Sequence, residues 1–270
     1  MVKFNMQNLK SKFLCLTFLI ACLLLSCLSY AEHRIISLAP HVTENLYAIG
    51  AGDMIVGASS YTDYPIEAKH IPVVASSSKI DIEAVMLLNP SLVISWCDSN
   101  LKQIKQLEEL GYKIYQSCPK KLMDIPKELE ELGQLLDRKE KSLEIANKFR
   151  NGILTLTRHN KEKVLVFYYI NLKPLLAVAN DTMQNDIINV CSGQNIMNEY
   201  RGYPKVSIEY IVKSSPDLII SNNSDYYYWK ELDLKNSKVV YVNPDHLLRP
   251  TTRILTGIEV LCKAIDKIRT

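Results

Sequence analysis

Two fifteen-residue stretches, "DIEAVMLLNPSLVIS" from Asp81 and "SIEYIVKSSPDLIIS" from Ser207, follow one pattern at a constant spacing of 126 residues. Each opens on a residue suited to cap a helix, Asp81 or Ser207. Each continues through Ile-Glu and an apolar helical run to a proline and a strand-like Leu-(Val/Ile)-Ile-Ser. A unit of this kind needs a neighbour to bury its apolar face, so its recurrence predicts two similar α/β lobes. Glu83 and Glu209 fall in the first turns of the two helices. A helix that precedes a parallel strand begins near the carboxyl edge of the sheet, which puts one carboxylate on the rim of each lobe. Complementing the positive end of its own helix is the plainest role for either one. Two acidic knobs for a two-fold partner are the alternative.

The remaining pattern fits this frame. Strand-like segments at 35–38, 55–58, 92–96 and 113–116 alternate with helical ones at 43–49, 82–88 and 101–110. That rhythm predicts a parallel sheet covered on both faces. A strand-free charged region follows, with helices at 125–136 and 139–159 and a break near Gly133 and Asp137-Arg138. The second helix is about 30 Å long if continuous. Strands return at 164–169, 175–178, 218–220 and 239–242, with helices at 185–190, 208–212 and 254–268. The organisation is thus an N-terminal α/β lobe (32–122), a helical linker (123–161) and a C-terminal α/β lobe (162–270).

Residues 1–31 read as a secretory signal peptide. Lys3, Lys10 and Lys12 precede an apolar run from Phe13 to Leu25, and Ser29-Tyr30-Ala31 forms a small-x-small cleavage site. The run is short for a membrane span. "LIAC" and "LLSC", ending at Cys22 and Cys27, fit lipoprotein cleavage less well. The whole chain has 32 Lys and Arg against 29 Asp and Glu. The leader removes three of the lysines, so the mature chain is formally neutral and gives no sign of a nucleic-acid partner. Cys15, Cys22 and Cys27 leave with it. Cys97, Cys118, Cys191 and Cys262 remain, without a CxxC spacing, and predict two disulfides in an exported protein, with three connectivities open.

Ligands of open α/β sheets bind beyond the carboxyl ends of the strands. Here those positions hold Pro40-His41, Ser59-Ser60-Tyr61, Trp96, Tyr168-Tyr169, Asn222-Asn223 with Tyr226 to Trp229, and Asn243-Pro244-Asp245-His246. Two such rims facing each other predict a cleft for a large, flat, mostly apolar ligand with polar edges. No nucleophile elbow, zinc-protease motif or phosphate loop occurs. "GAGDMIVG" precedes a strand instead of following one and reads as a helix C-terminal turn. His41 and His246, with Asp245, could hold a metal, but scattered histidines more commonly hydrogen-bond. Neither a resident metal nor a cofactor is expected.

These residues resemble a known family. "RIISLAPHVTENLYAIGAGDMIVGASSYTDYPIEAKHIPVVA" is similar to the opening of periplasmic binding proteins of ABC importers for cobalamin, siderophores and haem. "SSYTDYP" and "DIEAVMLLNPSLVISW" come closest to the cobalamin-binding branch. The similarity extends through "INVCSGQNIM", "YPKVSIEYIVKSSPDLII" and "IEVLCKAI". The resemblance implies two Rossmann-like lobes joined by a rigid helix, with Glu83 and Glu209 meeting arginines of an inner-membrane permease. It also implies the pairing Cys191–Cys262, which leaves Cys97 with Cys118. For ligand contacts it implies Pro40, Tyr61 and Trp96, with Asp245 and Arg249 retained. Tyr203 and His246 stand where that branch has Trp, and Ser77 replaces another Trp. Together with the rim residues His41 and Tyr169, these form the candidate ligand set. The function implied is a monomeric, non-catalytic periplasmic receptor for cobalamin or a related corrinoid. A haem or ferric-siderophore receptor is the first alternative, and an exported hydrolase or metalloenzyme a distant one.

Overall fold

The computed structural model describes residues 33–97, 101–159, 161–221, 225–232, 234 and 237–270. The segment expected to be a signal peptide, with its three cysteines, and Asn222-Asn223 lie outside the described residues.

In the first lobe, strand β1 (Ile35–Ser37) leads into helix α1 (Pro40–Ala48), and β2 (Ile55–Ser59) and β3 (Val73–Ala75) follow. Next come α2 (Ile82–Leu88), β4 (Leu92–Trp96), α3 (Leu101–Glu109) and β5 (Ile114–Ser117). The sheet order is β3-β2-β1-β4-β5, and every pairing is parallel. The chain reverses direction across the sheet at β1 and β4, so the crevice beyond Ser37 and Trp96 is where such a sheet receives a ligand.

Two helices lead out of this lobe, α4 (Asp124–Leu135) and α5 (Lys139–Leu156). The chain reverses between them at Asp137, which takes a left-handed φ of 55°. Gly133 lets the helices close, because a Cβ there would overlap the Ser142 side chain. At 18 residues α5 spans about 27 Å. It stops three residues short of the expected end. Thr157 turns extended and Arg158 donates its N–H to the Val190 carbonyl of the second lobe at 2.8 Å.

The second lobe contains β6 (Val164–Leu172), β7 (Leu175–Ala177), α6 (Met183–Val190), β8 (Gly193–Asn195), α7 (Ile208–Ser214) and β9 (Leu218–Ser221). It ends with α8 (Tyr226–Glu231), β10 (Lys238–Tyr241), α9 (Asp245–Leu248) and α10 (Ile254–Arg269). The order is β10-β9-β6-β7, with β8 also on β6. β7 departs from the expected parallel sheet and pairs antiparallel to β6. Only Lys173 and Pro174 join the two strands, and a parallel crossover needs a dozen or more residues.

The lobes do not have separate cores. One apolar cluster runs from Ile35, Leu46 and Ile94 through Leu129 and Phe149 of the linker helices to Val166, Ile220 and Ile258. Smaller clusters fill the outer faces, one around Ile36, Val85 and Leu107 and one around Phe167, Tyr169 and Trp229.

Candidate functional site

The duplicated units fold as the spacing requires. Asp81 Oδ1 accepts the N–H of Ala84 at 3.0 Å, and Ser207 Oγ accepts that of Tyr210 at 3.3 Å. Both helices end on a left-handed residue, Asn89 (φ 43°) and Ser215 (φ 45°), with a proline immediately after. This is the usual way a helix closes its last carbonyls before a chain reversal. Glu83 and Glu209 lie exposed in the two first turns. The Glu209 carboxyl is held below the usual range by its own backbone N–H and by Ser207.

β4 carries Trp96 to the carboxyl edge of the first sheet, where its register partner on β5 is Ser117. The next residue on each strand is a cysteine, and Cys97 and Cys118 are joined with their Cα atoms 5.5 Å apart. From the second lobe come Ile170, Asp181 to Gln184 at the start of α6, and Gly202-Tyr203. Together with Pro119, Lys120, Leu248 and Pro250 these groups enclose a cavity of about 560 Å³ between the lobes. Asp186 of α6 also links the two lobes: it accepts the N–H of Leu122 at 3.1 Å and pairs with Lys121 at 3.7 Å.

Of the expected ligand contacts, Trp96 and Tyr203 line this cavity. The Tyr203 hydroxyl donates to Gln184 Oε1 at 3.0 Å, which fixes the ring, while the side chain stays 45% exposed. Lys120, Asp181, Thr182 and Gln184 carried no rim signal in the sequence. Thr182, a residue type suited to cap a helix, could have marked the α6 start: it accepts the Asn185 N–H at 3.2 Å.

The other expected contacts need correction. His41 is only 1% exposed. Its Nε2 is bonded to Ser117 Oγ at 2.8 Å, and its ring packs edge-on against Trp96 at 4.4 Å. Burial, with help from the Arg249 charge, pushes this imidazole down to about 3, so it stays neutral. Tyr169 is 3% exposed and belongs to the second lobe's outer core, with its hydroxyl bonded to Ser221 and Asp225 at 3.1 Å each. Trp229 is buried beside it, so the Tyr226–Trp229 run is helix α8 rather than a cleft rim. Pro40 starts α1 and Tyr61 stands 62% exposed, both outside the cavity wall, as is the exposed Ser77.

Arg249 was expected to meet polar groups of a ligand and instead ties the lobes. It pairs with Glu44 at 2.8 Å, Asp63 at 2.6 Å and its helix neighbour Asp245 at 3.0 Å. Arg253 adds a second bond to Glu44 at 3.0 Å and lies over the Tyr64 ring at 4.2 Å. Asn45 donates to the Pro250 carbonyl at 3.1 Å. Burial pushes the Asp63 carboxyl up, but the hydrogen bond and charge of Arg249 outweigh it and hold the group low. Asp245 is thereby committed to Arg249. His246 is half-buried beside this cluster, outside the cavity wall, and burial and Arg253 lower its pKa. Among the described residues no group of three or more His, Cys, Asp or Glu could hold a metal ion. The buried Cys191 and Cys262 form the second disulfide, which pins the end of α6 to α10.

Two α/β lobes, a helical tie between them and an aromatic-walled cleft define a two-lobed solute-binding protein. Comparison with known proteins agrees. The periplasmic binding protein family model matches residues 35–247. The vitamin B12-binding protein of Vibrio parahaemolyticus is 35% identical over 248 residues, covering 87% of this chain and 90% of that one. The crystal structure of the periplasmic vitamin B12-binding protein of Vibrio cholerae superposes with a TM-score of 0.79 at 31% identity, covering 88% of this chain and 98% of that one. A periplasmic heme-binding protein of Roseiflexus shares the fold, with a TM-score of 0.76 at 19% identity, covering 88% and 99% of the two chains. The chain belongs to the periplasmic binding protein family.

Proposed function

We propose that this chain is a periplasmic, non-catalytic receptor that captures vitamin B12 or a related corrinoid between its lobes. The observation that carries this reading is the pairing of Trp96 and Tyr203, one from each lobe, across a single cleft. Aromatic faces bury a large planar ligand well, while a few polar groups set its orientation. The charged groups of the wall, Lys120 and Asp181, balance each other. Arg249, a cation of the candidate ligand set, is already shared by three carboxylates. That balance favours an uncharged, amide-edged ligand over a haem or a ferric siderophore. The relatives named for vitamin B12 binding point the same way.

The chain is read as a monomer that is exported by its signal peptide and delivers its ligand to an inner-membrane ABC permease, to which Glu83 and Glu209 dock. The purified protein should be titrated with cyanocobalamin, haemin and ferric siderophores by calorimetry and absorbance. Micromolar or tighter cobalamin binding is expected. Tight haem or siderophore binding without cobalamin binding overturns the reading. For docking, Glu83→Ala combined with Glu209→Ala should leave affinity intact and abolish most cobalamin uptake by cells. Unimpaired uptake returns both residues to the helix-end role.

A further inference from the structure

Behind the cleft wall, three buried polar side chains from three elements meet at one oxygen. Ser117 Oγ on β5 donates to the Glu128 carboxylate on α4, 2.8 and 2.9 Å from its two oxygens. The same Oγ lies 2.8 Å from His41 Nε2 on α1. His41 in turn packs edge-on against Trp96, the register partner of Ser117. All three groups are closed off from solvent. The arrangement does not suit nucleophilic catalysis, because the hydroxyl sits between the imidazole and the carboxylate instead of beside the imidazole alone. It does connect a linker helix to the aromatic wall of the cleft.

We propose that Glu128, Ser117 and His41 form a relay that positions Trp96 for the ligand, and that the protonation state of Glu128 sets the state of the relay. The inference rests on the functional reading above only for the identity of the ligand.

A serine hydroxyl carries one proton, so its bonds have a direction. When Glu128 is ionised, Ser117 donates to it, and His41 must donate to Ser117 from Nε2. When Glu128 is protonated, its O–H donates to Ser117 Oγ. The Ser117 O–H then points to His41 Nε2, which must accept, and His41 carries its proton on Nδ1. On protonation the Nε2 proton passes to Ser117 Oγ as the Ser117 proton passes to Glu128, and Nδ1 takes one proton from solvent, so the net change is one proton gained with the imidazole neutral in both states. The imidazole packed T-shaped against Trp96 therefore redistributes its charge without any backbone movement.

The surroundings put this switch in a useful range. Burial raises the Glu128 carboxyl to about 7 against the opposing hydrogen bond of Ser117, with the Glu131 and Asp124 charges on its own helix also raising it. Tyr115 on β5 occupies Glu131 through a 2.8 Å hydrogen bond, and Asn45 faces Glu128 from α1. Arg249 faces His41 and, with burial, keeps the imidazole from taking the proton itself.

The test follows His41 in the ligand-free protein by imidazole ¹⁵N–¹H spectroscopy, together with the Trp96 indole resonance, between about pH 5 and 9. The wild type should pass from the Nδ1–H to the Nε2–H tautomer as pH rises through about 7, with the Trp96 resonance shifting at the same midpoint. Glu128→Gln should remove both midpoints. Ser117→Ala should leave a titrating carboxyl but uncouple Trp96 from it. Cyanocobalamin affinity should vary severalfold across the same midpoint in the wild type and stay flat in Glu128→Gln. A single His41 tautomer throughout, or a Trp96 shift retained in Glu128→Gln, overturns the relay. If the wild type does not bind cyanocobalamin, the ligand reading falls, and the ligand-free titration still decides the relay.

Discussion

The helix–strand unit at Ile82–Trp96 and its counterpart at Ile208–Ser221 agree in cap, helix length and closing turn, yet they serve the cleft differently. The first strand ends by delivering Trp96 to the cavity, braced by His41 and by the adjoining disulfide. The second ends at a buried Ser221 bonded to Tyr169, beside the Trp229 cluster. The second lobe therefore builds its wall from the start of α6 and from Tyr203. One local unit thus fixes the scaffold twice, while neighbours that are not duplicated decide which rim lines the cavity.

The disulfides offer the strongest way to break this comparison. Cys191 and Cys262 close a 71-residue separation and Cys97 and Cys118 a 21-residue one. Chain entropy then assigns about 4 kcal/mol to the first and about 3 kcal/mol to the second. Paired Cys→Ala variants, compared by urea denaturation, should show that order. Only loss of the Cys97–Cys118 bridge should also weaken ligand binding, because it alone adjoins the cavity.

A pH series tests the braced side of the first lobe. The folded-state pKa of Glu128 is raised from 4.5 to about 7, so its contribution to stability is fully present below 4.5 and lost as pH rises through 7. Glu128→Gln removes that loss. It should gain about 2–3 kcal/mol over wild type at pH 8 relative to pH 4 in denaturant melts. Equal stability differences at both pH values would mean that the carboxyl is not perturbed.

In the cleft, Trp96→Ala should cost about 2 kcal/mol of cyanocobalamin affinity by calorimetry, and Tyr203→Ala about 1 kcal/mol. Trp96 is the larger ring and has the stiffer support. The reverse order would place the dominant wall in the second lobe. The smallest effect should come from the shared caps. Asp81→Ala and Ser207→Ala should each cost about 1 kcal/mol and by similar amounts, because their hydrogen bonds are equivalent.

Much of this molecule was legible along the chain. The 126-residue repeat, the helix caps, the α2–β4 and α7–β9 units and the break at Asp137 rest on local periodicity and turn chemistry, which act over a few residues. The short strands β3 and β8 escaped notice because three residues carry no periodicity. The antiparallel β7 was missed because its sheet partner, not its composition, sets its direction. The candidate site was less legible. Strand-end position marked Trp96, His41 and Tyr169 alike, whereas the fold leaves Trp96 in the cavity wall and turns the other two inward. Whether a side chain at a strand end faces a cleft or a core depends on what packs over it, and that neighbour is distant in sequence. Arg249 shows the same limit: the resemblance implied a ligand contact, and only the approach of Glu44 and Asp63 from the other lobe made it an interlobe tie. Short-range physics thus determined the two lobes and their acidic rims from the sequence alone. Long-range packing, which satisfies each buried polar group with whatever partner the fold brings near, decided which residues line the cavity between the lobes.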